Sequence, residues 1–203
     1  MQPYYSEDGI TIYHGDCAEV LPSMSADLAI TDPPYGVNFR GEKWDKDVPP
    51  LAIALPSMFG RVAIIMAPVA MFQFPQPRWV ACWARPASSS RSLVAGFNHW
   101  SPVLLYGDCE MRVDYKSWHA IQHAYPPGFG HPSPKPECVM SWLVDELSEP
   151  GEAVIDPFMG SGTTLVAAKY LGRKAIGIEI EEKYCEIAAK RLSQRVLPLE
   201  MSA

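Results

Sequence analysis

Four consecutive residues, Asp32-Pro33-Pro34-Tyr35, set a carboxylate, a stiff backbone and an aromatic ring side by side, with Gly36 closing the run. Two prolines fix φ and bias the residue before each of them to extended conformation, so the separation of carboxylate and ring is set by the chain itself. This grouping suits a nucleophile whose lone pair has to be released. The exocyclic amino nitrogen of adenine or cytosine is such a group, because its lone pair is delocalised into the ring. A carboxylate and a backbone carbonyl accepting both N–H bonds would draw the nitrogen towards tetrahedral geometry. It could then attack a methyl group held in line on a sulfonium. Positioning and electrostatics would supply the rate, with no covalent intermediate. Tyr35 could stack on a base taken out of its duplex. The plain alternative is an Asp-Pro-Pro turn that closes a strand.

A second group lies towards the other end of the chain. An apolar stretch, Ala153–Ile155, runs into Asp156-Pro157-Phe158-Met159-Gly160-Ser161-Gly162-Thr163-Thr164, where a helix is expected to begin. Glycines between a strand and a helix permit a tight turn and close approach of a ligand. The helix start offers free N–H groups. The next apolar stretch ends at Ile178-Glu179-Ile180, and an acid there commonly holds ribose hydroxyls. The spacing is not G-x-G-x-x-G, and no Gly-Lys-Ser/Thr follows, which disfavours a dinucleotide site and excludes a phosphate loop of the NTPase type. A nucleoside-bearing cofactor fits better; a structural turn with a surface glutamate is the alternative.

Strand-like and helix-like stretches alternate, which predicts an α/β fold with a mostly parallel sheet. Strands are expected at Ile10–His14, Asp27–Thr31, Val62–Ala67, Trp79–Trp83, Pro102–Tyr106, Ala153–Ile155 and Lys174–Ile178. Helices are expected near Ala18–Met24 and at Glu137–Leu147, Thr163–Leu171 and Glu181–Val196. The stretch Gly107–Lys135, rich in Pro, Gly, His and aromatics, reads as loop. At 203 residues the chain suits one domain.

Both groups together resemble the DNA amino-methyltransferases, of the group in which the catalytic motif precedes the cofactor motif. Asp32, Pro33, Pro34 and Tyr35 match the family's catalytic motif. Asp156, Phe158, Gly160, Ser161, Gly162 and Thr163 match its methionine-moiety loop, and Glu179, followed by Ile180, its ribose-binding acid. Gly15-Asp16-Cys17 is similar to its opening segment, where Asp16 would lie near the cofactor's adenine. His131-Pro132-Ser133-Pro134-Lys135-Pro136 is similar to a stretch that places Lys135 beside the cofactor. The resemblance implies a seven-stranded Rossmann-like S-adenosylmethionine-dependent methyltransferase fold with permuted motif order. The strand after Gly151 would be central and next to the strand ending at Asp32. It also implies S-adenosyl-L-methionine as cofactor, double-stranded DNA with a flipped target base as substrate, a second copy of the chain as a candidate partner, and residues 107–130 as a short target-recognition insertion. An initial Asp goes mostly with adenine N6, an initial Ser mostly with cytosine N4. Adenine is therefore favoured, with cytosine N4 as alternative. A degenerate protein that binds DNA or cofactor without turnover is the alternative from another class, and RNA or protein acceptors are a further one. Cytosine C5 chemistry needs a cysteine nucleophile, typically after proline, and no Pro-Cys is present. The middle departs from the family: Leu51–Arg61 contains Pro56 where the family has a regular helix end, and His99-Trp100-Ser101 stands where an acid is common.

The net charge of −6 argues mildly against a nucleic-acid partner, but its distribution is uneven. Residues 78–136 carry +3 and the remainder −9, so Arg78, Arg85, Arg91, Arg112, Lys116 and His119 are candidate DNA contacts. A solvated face is the equal alternative for Arg78, Arg85 and Arg91, and core packing is the main reading of Trp100 and Trp118. His119 and His123 have helical ligand spacing but no evident third ligand, so no metal is expected. Five cysteines without close pairing, a polar start and the short apolar run Val62–Phe72 fit a cytoplasmic protein without a membrane span. The size fits a stand-alone phage or prophage enzyme; a restriction partner cannot be inferred from it.

Overall fold

The computed structural model describes residues 2–37, 45–85, 91–92, 96–97, 99–117 and 130–194. Eleven strands are described: β1 (Tyr5–Glu7), β2 (Ile10–His14), β3 (Leu28–Thr31), β4 (Arg61–Ile65), β5 (Trp79–Ala84), β6 (Arg91–Ser92), β7 (Gly96–Phe97), β8 (Trp100–Gly107), β9 (Tyr115–Ser117), β10 (Ala153–Asp156) and β11 (Lys174–Glu179). Five helices accompany them: α1 (Cys17–Val20), α2 (Pro50–Met58), α3 (Glu137–Leu147), α4 (Thr163–Tyr170) and α5 (Glu182–Ser193). The main sheet has the order β1-β2-β11-β10-β3-β4-β8-β5-β9, and β6 and β7 form a separate antiparallel pair.

The seven expected strands form the body of the sheet, from β2 to β5. Each edge gains a three-residue strand, β1 on one side and β9 on the other. β9 falls inside the stretch read as loop, and Lys116 lies exposed on it. Neighbouring pairs from β2 through β11, β10 and β3 to β4 are parallel, while β8 runs antiparallel to both β4 and β5. The chain winds outward from β3 to β4 in one direction and from β10 to β11 in the other. The junction of β3 and β10 is therefore the switch point of the sheet, where open α/β sheets hold their ligands.

Alternation along the strands sorts the core. Leu28, Ile30, Ala63, Ile65, Ala81, Trp83, Val103 and Leu105 pack with α3 on one face. Ala29, Val62, Ile64, Leu104 and Tyr106 face the other way, with Leu55 of α2 and Phe74. Ile10, Ile12 and Ala175 pack with α4 and α5. Full burial of each Leu, Ile or Val stabilises by about 1.5–3 kcal/mol, which fixes strand register. α2 forms despite Pro56, which sits in its last turn; only the Ala52 carbonyl loses its helical donor. Among the described residues no helix is long and apolar enough to cross a membrane.

Candidate active site

β3 ends at Thr31, and the extended Asp32-Pro33-Pro34 segment leaves the sheet at the switch point. The turn is held from an unexpected direction. The buried Asp45 accepts hydrogen bonds from the Tyr35 amide at 2.5 Å and the Gly36 amide at 3.1 Å through one oxygen. Ten residues of separation and an ordinary surface-like neighbourhood gave no sign of this in the sequence. Tyr35 turns its hydroxyl to Asp32, donating to Oδ1. Lys135 Nζ bonds Asp32 Oδ2 and lies 5.5 Å from the centre of the Tyr35 ring. After a bend at 132–133, Pro134 and Pro136 keep the stretch leading into α3 extended, so that Lys135 reaches across to β3. Burial, and then the neighbouring Asp32 carboxylate, raise the Tyr35 phenol well above its ordinary pKa, so it stays a neutral donor.

On the adjoining strand, Asp156 ends β10. It is 3% exposed, and all its described partners belong to the protein. Thr31 Oγ1 donates to it at 2.7 Å, Thr164 Oγ1 at 2.5 Å and the Phe158 amide at 3.1 Å. Burial pushes its pKa up to about 6 against these hydrogen bonds. Asp156 lies beneath the glycine loop and ties it to β3 and α4. Ser161 and Thr163 are buried as well. Arg191 of α5 bonds the Ser161 carbonyl at 2.6 Å and Thr163 Oγ1 at 3.1 Å, and its other arm bonds Glu137 at 2.7 Å. Arg191 is a positioning residue the sequence reading missed; its only sequence mark is an arginine on the polar side of an amphipathic helix.

The mouth of the loop is formed by Gly160 and Glu179. Gly160 (φ +52°) and Gly162 (φ +77°) are left-handed, which L side chains rarely adopt. A Cβ on Gly160 would lie 2.8 Å from His131 Nε2. His131 packs edge-on against Tyr184, with ring centres 4.5 Å apart, and burial lowers its pKa to about 4, helped by Lys135. Glu179 accepts from the Gly160 amide through Oε2 and from the Glu181 amide through Oε1, each at 2.9 Å. Burial raises its pKa. Each of its oxygens keeps a further lone pair for an outside donor. Ile180, next to it, is 63% exposed. Across the mouth, Asp16 is exposed and caps α1 by accepting from the Ala18 amide at 2.8 Å, while burial pushes the half-buried Cys17 thiol up to about 11. Phe158 is half-buried against the α2 side of the core. β2 pairs with β11 in a register that sets His14 opposite Glu179, so Asp16 and Cys17 sit at the same end of the sheet.

The family profile described as a DNA methylase, of the N6/N4 type, matches residues 97–190. The type II methyltransferase M2.DpnII of Streptococcus pneumoniae is 48% identical over 62 residues, which is 30% of this chain and 23% of that protein. Over these stretches the chain is similar to the DNA amino-methyltransferases. YubD of Escherichia coli (strain K12) is 28% identical over 203 residues, covering 88% of each chain. Among solved structures, the M1.HpyAVI–SAM complex has a TM-score of 0.66 at 24% identity, covering 90% of this chain and 99% of that one. The PvuII cytosine-N4-specific DNA methyltransferase has a TM-score of 0.73 at 17% identity, covering 97% and 90%. These likenesses show the Rossmann-like fold.

The basic middle segment divides. β4 and β3 start at the sheet end opposite Asp32, and Gly107 pairs there with Arg61. Arg78 bonds the Gly107 carbonyl and Asp108, both at 3.0 Å. Arg112 pairs with Asp145 at 2.8 Å and Glu146 at 3.4 Å near the end of α3. Both are placed at the sheet end away from Asp32 and pair with acids there. Arg85 emerges at the catalytic end. His119 and the side chain of Arg91 lie outside the described residues, as do His123 and Trp118.

Proposed function

We propose that this protein transfers a methyl group from S-adenosyl-L-methionine to the N6 amino group of adenine in DNA. One observation carries the reading: the Asp32 carboxylate and the Gly160–Glu179 cradle stand at the carboxyl ends of three neighbouring parallel strands, β3, β10 and β11, with β3 and β10 joined by the Thr31–Asp156 hydrogen bond of 2.7 Å. The residues present fit the cofactor. Glu179 offers acceptors for ribose hydroxyls, Ile180 and Asp16 offer an apolar ledge and a polar group for an adenine, and the left-handed Gly160 leaves room where a Cβ would meet His131.

When bound, S-adenosylmethionine supplies an electrophilic methyl group on its sulfonium. The chain's own residues do the rest. Asp32 accepts one amino N–H of the target base, and a carbonyl of the rigid Pro33–Pro34 segment accepts the other. Tyr35 covers the ring of the base, and its hydroxyl gives up Asp32 as the amino group arrives. Lys135 holds the Asp32 carboxylate in place through their ion pair. As the nitrogen takes the methyl group, with the sulfonium's C–S bond breaking and its electron pair left on sulfur, Asp32 would receive the proton the nitrogen sheds. Residues 107–130 are proposed to contact the target sequence, and pairing with a second copy of the chain is left to the same preparation, by size analysis. The preference for adenine rests on Asp32 at the head of the motif.

The test is transfer of labelled methyl from S-adenosylmethionine to unmethylated genomic DNA, with Asp32→Ala in parallel and the modified nucleoside identified by mass. N6-methyladenine from the wild type alone supports the whole reading. N4-methylcytosine keeps the mechanism and overturns the base. Cofactor binding without transfer moves the assignment to a binding protein.

A further inference from the structure

Two N–H donors are left over at the end of β5. Trp83 is 2% exposed, and its Nε1–H has no hydrogen-bond partner among the described residues. Two residues on, the buried Nε–H of Arg85 also has none. The two side chains lie together, with the guanidinium carbon 5.0 Å from the centre of the Trp83 ring. Arg85 is tethered by its backbone, whose amide donates to the His99 carbonyl at 2.6 Å, and by Nη2, which donates to the Trp100 carbonyl at 3.2 Å. Arg78, Arg61 and Arg112 each meet a carboxylate; among the described residues Arg85 meets none. A half-buried cation that meets no carboxylate among the described residues, fixed over a buried indole, is the arrangement that an anion completes.

Position decides which anion. β8 runs antiparallel to both β4 and β5, so β5 ends at the same end of the sheet as β3, and the Arg85 charge acts on Tyr35. The glycine loop and Glu179 belong to β10 and β11, on the other side of β3. Arg85 therefore stands on the acceptor's side of Asp32, out of line with the cofactor cradle. We propose that Arg85, held over the buried Trp83 ring, binds a backbone phosphodiester and so positions the strand whose base is presented to Asp32. This deepens the proposed function and rests on its assignment of DNA as substrate. Arg85 is a positioning residue here; no step of the transfer passes through it.

The experiment measures methyl transfer to unmethylated duplex DNA over a series of KCl concentrations for the wild type, Arg85→Gln, Arg85→Lys and Trp83→Phe. Loss of a charge-assisted phosphate contact is expected to raise KM for DNA by about 10–100-fold in Arg85→Gln. kcat and the Kd for S-adenosylmethionine should stay within about twofold, since Arg85 lies outside the cofactor cradle. The slope of log(kcat/KM) against log[KCl] should become shallower by about 0.9, the value of one phosphate. Arg85→Lys should keep the wild-type slope, and Trp83→Phe should raise KM by less. An unchanged KM and slope, or a fall in kcat and Tm with the slope intact, overturns the proposal. Anisotropy of a fluorescein-labelled duplex reads the same slope for binding alone. A wild type that transfers no methyl would thus sink the parent reading while Arg85 is still decided.

Discussion

The pair formed by Asp32 and Lys135 can be dissected by a double-mutant cycle, with Asp32→Asn, Lys135→Met and the two combined. Their side chains are 21% and 14% exposed, between a surface pair and a buried one. Removing one partner of a buried pair costs about 3–5 kcal/mol, because the other charge is left uncompensated, whereas exposed pairs are worth about 0–1 kcal/mol. Each single substitution here should therefore cost about 2 kcal/mol, or a fall in Tm of about 4–8 °C for a chain of this size. The double variant leaves no stranded charge, so its cost should fall short of the sum by about 1 kcal/mol or more. Transfer behaves differently. Asp32→Asn should lower kcat by about 10²–10³, by analogy with removing one preorganised polar group from a catalytic site, and adding Lys135→Met should restore none of it. Denaturation by urea and methyl transfer on the same four proteins give both readouts. Strictly additive stability costs, or recovery of transfer in the double variant, would refute the argument that Lys135 holds a carboxylate whose chemistry is needed.

Three further outcomes are expected. Gly160→Ala puts a Cβ 2.8 Å from His131 Nε2 at a φ of +52°; it should lose about 1–2 kcal/mol in thermal melts and bind S-adenosylmethionine more weakly. Glu179→Ala frees the Gly160 and Glu181 amides from their acceptor and should raise the Kd for S-adenosylmethionine by about 10–100-fold, read by calorimetry, with the circular dichroism unchanged. The pH dependence of stability has two opposed parts. His131 titrates at about 4 when folded, below its ordinary 6.5, so its contribution, up to about 3 kcal/mol, is present above pH 6.5 and lost as pH falls towards 4. Asp156 titrates at about 6 when folded, above its ordinary 3.8, so a contribution of about 3 kcal/mol is present at pH 4 and lost as pH rises through 6. His131→Gln should therefore gain stability, by urea titration, as pH falls from 6.5 to 4, and Asp156→Asn should lose it over the same interval.

Both ends of the site were legible in the sequence for the same reason. Asp32 and Glu179 each end an apolar run long enough to be a buried strand, and Asp32 is followed at once by two prolines that fix the backbone. Chain direction then puts them at one end of the sheet. The two edge strands were not legible, because Tyr5–Glu7 and Tyr115–Ser117 are three residues long and half-exposed, so no alternation marks them. Arg78, Arg85 and Arg112 could not be separated by composition. Only the direction of β5 and β8 sends the first and third to one end of the sheet and the second to the other. Asp45 and Arg191 act through contacts set by tertiary packing, with partners 9–10 and 28–54 residues away along the chain.

The pairing of β3 with β10 has a consequence for synthesis of the chain. Leu28–Thr31 leaves the ribosome more than a hundred residues before Ala153–Asp156, its neighbour at the switch point. Until then one edge of an entirely buried strand stays open, and the entropy of closing so long a loop has to be met before Thr31 finds Asp156. Nascent chains halted between these two points would present an apolar, unpaired strand edge, the kind of surface on which incomplete chains associate. Chaperone capture and release during translation would then govern the yield of this enzyme more than the final stability of its fold.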